Sequence, residues 1–147
     1  MGLEVSAVAA DAGAWKGEGA YDSVLLDAPC SATGTFRRHP DVLWAARPGD
    51  IASLAGVQTR LLDAAADLVA AHGRLVYCVC SLEPEEGEAQ TAAFLARRSD
   101  FVLEPMRPGE GGAPEASLRP DGALRVLPFH LEGGTDGFYI ARFLRQG

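Results

Sequence analysis

Two short runs concentrate the side chains able to do covalent chemistry: Asp27-Ala28-Pro29-Cys30-Ser31 and Cys78-Val79-Cys80-Ser81. A cysteine is a strong nucleophile only as its thiolate, a form favoured near the positive end of a helix. Cys80 sits at the end of an apolar run and is followed by Ser-Leu-Glu-Pro, a helix-start pattern, although a free cysteine is by default a small buried hydrophobe. Cys78 lies two residues earlier, on the same strand face but one step deeper, and reads as core. Asp27 precedes a proline that fixes the turn, so its carboxylate can be held toward a ligand; a turn or cap role is the alternative. Other uses of the three cysteines fit poorly. Their number is odd, Cys78 and Cys80 are too close to staple a fold, and with three scattered histidines they lack the paired spacing of a structural zinc site. No metal site is expected.

The elements that must position these residues alternate between two periodicities. Leu3–Ala9 alternates apolar with small or polar residues and predicts a strand ending at Asp11, and Ser23–Asp27 is a nearly all-apolar run suited to a buried parallel strand. Gly34, Pro40 and Pro48 predict a loop from Cys30 to Gly49 with one helical turn. Asp50 can cap a helix whose apolar positions, among them Ile51, Leu54, Leu61, Leu62 and Leu68, recur until His72-Gly73 ends it. Leu75–Val79 then reads as a strand, and Ser81, Pro84 and the glutamates open a helix over about Glu85–Arg97 with Ala89, Ala92, Ala93, Phe94 and Leu95 as its buried side. Phe101–Glu104 is a further strand, and Pro105–Gly122 is an irregular surface connection. Leu124–Leu127 and Phe138–Phe143 predict an antiparallel ending. The order implies an α/β domain over residues 1–147, Rossmann-like, with a mostly parallel sheet whose ligands gather at the carboxyl ends of its strands.

Composition narrows the function. A net charge of −7 argues against a free-standing nucleic-acid binder, since affinity for phosphate comes from clustered Lys and Arg. The one local basic cluster is Arg37-Arg38-His39, with Arg47 beyond it, and a solvated loop is its simplest reading. No apolar run approaches the roughly 20 residues of a membrane span. No secretory leader is recognisable, so a cytoplasmic protein without membrane contact is expected.

The runs DAPCSATGTFRRHPD, LVYCVCSLEPEEGE and GTDGFYIARF resemble the fourth, sixth and closing motifs of the RNA cytosine-C5 methyltransferases, most nearly the Sun/Fmu group that acts on small-subunit ribosomal RNA. The likeness covers nearly the whole chain, with the motifs in order. It implies a nucleophile at Cys80, which adds to carbon 6 of cytosine so that carbon 5 can accept a methyl group. It also implies that Cys30 serves release of the product and that Asp27 lies beside the cofactor and the base. By the same resemblance Asp11 faces the adenine or ribose end of S-adenosylmethionine, and Arg37, Arg38 and His39 approach RNA. Asp136-Gly137-Phe138 reads as structural. The family usually has Thr before the nucleophile, where this chain has Val79, which removes one hydroxyl.

The family's glycine-rich cofactor loop and its RNA-binding amino-terminal region have no counterpart in these 147 residues. The chain is therefore expected to represent the carboxy-terminal part of a methyltransferase domain. Alone, it should bind S-adenosylmethionine poorly and not methylate RNA. The alternative is a non-catalytic partial domain acting as a binding or assembly module. An unpaired apolar edge at the Asp27 strand should be covered by Leu3–Ala9 or by a second copy in a homodimer.

Overall fold

The computed structural model describes residues 2, 4–17, 19–45 and 47–147. Five strands, β1 (Tyr21–Asp27), β2 (Val69–Val79), β3 (Phe101–Leu103), β4 (Leu124–Val126) and β5 (Phe138–Arg145), form one sheet in the order β1-β2-β5-β3, with β4 also paired to β5. β1 and β2 are parallel, and the three pairings of β5 are antiparallel. β2 occupies one edge of β5, while β3 and β4 share the other, β3 at Phe143–Arg145 and β4 at Phe138–Ile140. The helices are the short α1 (Val42–Ala45), then α2 (Pro48–Asp67) and α3 (Glu88–Arg97).

Alternation along the strands builds the core on one face. Leu75, Tyr77 and Val79 of β2 and Tyr139, Ala141 and Phe143 of β5 are fully buried and cluster with Leu62 and Ala66 of α2 and Phe94 of α3. Phe94 anchors the aromatic part, with ring centroids 4.8 Å from Phe143 and 5.3 Å from Phe101. Among the described residues no helix is long and apolar enough to cross a membrane.

Four local expectations are corrected. Leu3 falls outside the described residues, and residues 4–9 form no strand: Val5 and Val8 are exposed, and among the described residues β1 pairs only with β2, leaving its outer edge without a strand. An alternating segment needs a ladder to satisfy its backbone, and this one has none. Second, Asp50 lies in the first turn of α2 rather than at its cap, which is Arg47 in extended conformation ahead of Pro48. Third, α2 ends at Asp67, and His72-Gly73 lies inside β2. There His72 has φ 63°, within a bulge between the pairs Tyr21↔Val69 and Ser23↔Arg74. Fourth, α3 starts at Glu88 and buries Gln90, Thr91 and Phe94, while Ala89, Ala92 and Ala93 are exposed. The polar pair is tolerated inside because it is bonded: Gln90 Nε2 donates to Ala55 O at 3.1 Å, and Tyr139 OH lies 2.8 Å from Thr91 Oγ1.

Candidate active site

The parallel register pairs Asp27 with Cys78, so β1 and β2 end side by side and their following loops leave together. The loop after β1 carries Cys30, the loop after β2 carries Cys80, and the two sulfurs are 3.5 Å apart, both half-buried. Backbone bonds lace the loops: Ala28 N donates to Cys78 O and Gly34 N to Cys80 O, each at 3.0 Å. Ala32 takes a left-handed turn at φ 57°. The chain then passes so close to Gly137 that Gly137 N donates to Gly34 O at 2.7 Å.

Beneath the thiols lies a polar network that sequence reasoning missed. Glu86, fully buried, accepts from Ser31 N at 2.9 Å, from Ser31 Oγ at 2.5 Å and from Gln58 Nε2 at 3.1 Å. Gln58, also fully buried, donates in addition to Pro29 O at 2.9 Å. Ser81 Oγ stands 3.2 Å from Ser31 Oγ and accepts from Glu83 N at 3.0 Å, and Leu82 N donates to Thr33 Oγ1 at 3.0 Å. Arg125 closes the network from β4, donating to Ser81 O at 2.5 Å while lying over the Tyr139 ring. The only sequence signal was a Glu among four within six residues, which does not single out position 86.

The other expected residues divide. Asp27 is exposed and accepts from Cys78 Sγ at 3.5 Å, so Cys78 is a half-buried partner of Asp27 rather than core. Val79 is fully buried on the core face, and its side chain belongs to the packing rather than to the thiols. Asp11 is exposed in a turn, its Oδ1 accepting from Gly13 N at 2.9 Å; among the described residues no hydrogen bond or ion pair joins it to Asp27 or the thiols. Arg37, Arg38 and His39 are exposed. Arg38 Nε donates to both oxygens of Asp136, at 3.0 and 2.9 Å, which holds the Asp136 carboxyl below its usual range. Arg38 also lies within electrostatic reach of Cys80. Among the described residues no group of three or more His, Cys, Asp or Glu could hold a metal ion.

Residues 1–144 match the 16S rRNA methyltransferase RsmB/F family. The chain belongs to that family. It is 40% identical over 149 residues to ribosomal RNA small subunit methyltransferase B of Sodalis glossinidius, covering 99% of this chain and 32% of that protein. It is 42% identical to the protein of the same name from Erwinia tasmaniensis, covering 90% of this chain and 28% of the other. The chain thus spans about a third of the length of these curated relatives. Among solved structures, a methyltransferase homolog protein from Pyrococcus horikoshii superposes with a TM-score of 0.65 at 31% identity, over 86% of this chain and 40% of that one. NSun6 from the same organism, solved with SFG, superposes with a TM-score of 0.61 at 29% identity, over 84% and 29%.

Two thiols of this RsmB/F segment are held protonated by their surroundings. Burial pushes the Cys30 thiol up to about 12; a backbone hydrogen bond from Ala32 works the other way, and the neighbouring Cys80 and Glu86 raise it further. Burial and then the Asp27 carboxylate push Cys78 up to about 12 as well. Both therefore stay protonated near neutral pH. Near pH 8, Cys30 and Cys78 are expected to react with iodoacetamide at least about a hundredfold more slowly than a free thiol, with rates rising about tenfold per pH unit. Peptide mass spectrometry after timed quenching measures this, and a Cys30 that alkylates as fast as glutathione would contradict it.

Proposed function

We propose that this chain forms the carboxy-terminal part of the catalytic domain of an RNA methyltransferase that modifies carbon 5 of a cytosine in small-subunit ribosomal RNA through a covalent cysteine adduct. The observation that carries the reading is the pair of sulfurs 3.5 Å apart at the ends of adjacent parallel strands, in a chain of the RsmB/F family. Carbon 5 of cytosine is a weak nucleophile until something adds at carbon 6, and a thiolate is suited to that addition.

Cys80 gives its proton to solvent and its sulfur bonds carbon 6, shifting the electron pair of the carbon 5–carbon 6 double bond onto carbon 5. S-adenosylmethionine, when bound, supplies an electrophilic methyl group to that carbon. The carbon 5 proton then passes to water and the bond between Cys80 and carbon 6 breaks, restoring the double bond. Cys30, a protonated thiol beside the departing sulfur, donates a hydrogen bond to the Cys80 thiolate as it leaves. Asp27, exposed at the end of β1 and fixed by Cys78, addresses the base. Arg37, Arg38 and His39 attract the RNA backbone.

For the cofactor, a relative solved with SFG, an S-adenosylmethionine analogue, supports the choice. Asp11, its carboxylate oriented by Gly13 N, and Asp27, exposed at a strand end, suit the hydroxyl and amino donors of such a molecule. With these two contacts alone, the 147 residues bind it weakly.

The test supplies the protein that carries this segment with unmodified small-subunit ribosomal RNA and tritium-labelled cofactor. Label should appear in 5-methylcytidine after nuclease digestion. Label in any other nucleoside overturns the carbon 5 reading, and no transfer at all would leave the second reading. That second reading is an assembly module whose open β1 edge, with Leu25 68% exposed, takes a partner such as a second copy.

A further inference from the structure

We infer that Glu86 is a positioning residue whose buried carboxylate gathers the loop carrying Cys30 onto the loop carrying Cys80 and so sets the separation of the two sulfurs. The inference deepens the site of the proposed reaction and rests on that reading for its purpose, but its geometry can be tested without RNA or cofactor.

A fully buried carboxylate is costly unless donors surround it, and among the described residues Glu86 forms no ion pair with Arg, Lys or His. Its donors come from two other segments. Ser31, which follows Cys30, gives both its backbone N–H and its hydroxyl, and Gln58 gives its amide from α2. Gln58 simultaneously donates to Pro29 O, which precedes Cys30. The loop is thus gripped on both sides of the cysteine, with Glu86 on one side and Gln58 on the other. Glu86 itself is anchored to the strand beneath, because Tyr77 OH donates to its carbonyl at 2.6 Å. The contact between Ser31 Oγ and Ser81 Oγ completes the link to the residue after Cys80.

An apolar side chain at position 86 could fill the same space, but it could not orient two donors of one loop. Removing the carboxylate should leave Ser31 N without its acceptor and Gln58 Nε2 with Pro29 O alone, and free the Ser31 side of the Cys30 loop to shift. A displacement of about 1 Å at a reacting group can already cost on the order of a hundredfold in rate.

The experiment uses the 147-residue chain in a Cys78→Ser background, so that Cys30 and Cys80 are its only thiols. Dibromobimane fluoresces once both of its bromides have been displaced by thiols, so the rate of fluorescence gain reads how closely the two sulfurs are held. Glu86→Ala, verified as folded by circular dichroism, is expected to slow bridging about tenfold. Glu86→Gln should recover most of the rate, because its amide oxygen still accepts from Ser31. Single alkylation of Cys80 by monobromobimane, measured with Cys30→Ala added, should be unchanged by Glu86→Ala. Bridging at the parent rate in folded Glu86→Ala overturns the inference. So does an equal loss in single alkylation, which would mean that reactivity rather than separation had changed. If Glu86→Ala does not fold, Ser31→Ala reads the same contact: slower bridging supports the inference and the parent rate overturns it. Methyl transfer is not measured here, so failure of this test leaves the proposed reaction standing, and failure of that reaction leaves this geometry standing.

Discussion

If the proposed reaction holds in a protein that carries this segment, Cys80→Ala is expected to lower methyl transfer on the order of 10⁴-fold or more, as loss of a covalent nucleophile does elsewhere. Cys30→Ala should also slow turnover, by on the order of 10- to 100-fold, but at a different point. Without the Cys80 sulfur there is nothing to add to carbon 6, so no bond to RNA forms. Without the Cys30 thiol, addition and methylation proceed, and the departing Cys80 thiolate loses the hydrogen-bond donor that stands 3.5 Å away. A charge-assisted hydrogen bond is about twice as strong as a neutral one, so its loss falls on the step that develops the charge. Labelled RNA should therefore migrate with the protein on a denaturing gel for Cys30→Ala and not for Cys80→Ala. An RNA adduct with Cys80→Ala would reassign the nucleophile, and wild-type turnover by Cys30→Ala would remove its role in release.

Gly34→Ala should destabilise the fold by on the order of 3 kcal/mol or more, the range reached when an added carbon meets rigid surroundings. A Cβ at Gly34 would lie 2.1 Å from Gly137 O and 2.9 Å from Cys80 O, both backbone atoms that a rotamer change cannot move. Relief requires the loop to lift from Gly137 and Cys80, which breaks the bonds from Gly34 N to Cys80 O and from Gly137 N to Gly34 O. Gly56→Ala provides the opposite sign. A Cβ there meets nothing within 4 Å, and the site is exposed in the interior of α2, so a gain of about 0.5–1 kcal/mol is expected from helix propensity. Urea denaturation of the two variants beside the parent measures both. A Gly34→Ala protein as stable as the parent would show that the close approach is not built as described.

The sequence was most readable where one local rule decided the outcome. The short apolar run ending at Asp27 and the run ending at Val79 both read as strands, and adjacent parallel strands bring their ends together; β1, however, is an edge strand among the described residues and lacks the burial expected of it, with Leu25 exposed. That reasoning placed Cys30 and Cys80 at one end of the sheet. It did not reveal Glu86 or Gln58, because nothing local marks a Glu or Gln for burial; each is inside only because distant groups satisfy it. The buried side of α3 was misread for the same reason, since Gln90 and Thr91 look like surface residues until Ala55 O and Tyr139 OH are brought to them. Leu68 to Ala71 extend the apolar pattern of α2, yet Val69 pairs with Tyr21 and begins β2, a choice made by the neighbouring strand rather than by periodicity. Residues 4–9 carry a strand pattern, but among the described residues they pair with no strand at the outer edge of β1.

β5 is the last strand in the chain and the one to which three others bind. On a ribosome adding roughly 5–20 residues per second, β3 and β4 therefore emerge before the strand that holds them in the sheet. β1 and β2 can associate early, and Glu86 and Gln58 can already grip the loop bearing Cys30, but its contact from Gly34 to Gly137 must wait for the last stretch of chain. The thiol pair is thus completed late in synthesis. A nascent chain halted before Phe138 would display the two cysteine loops without that closing contact, open to proteases and to stray oxidants alike.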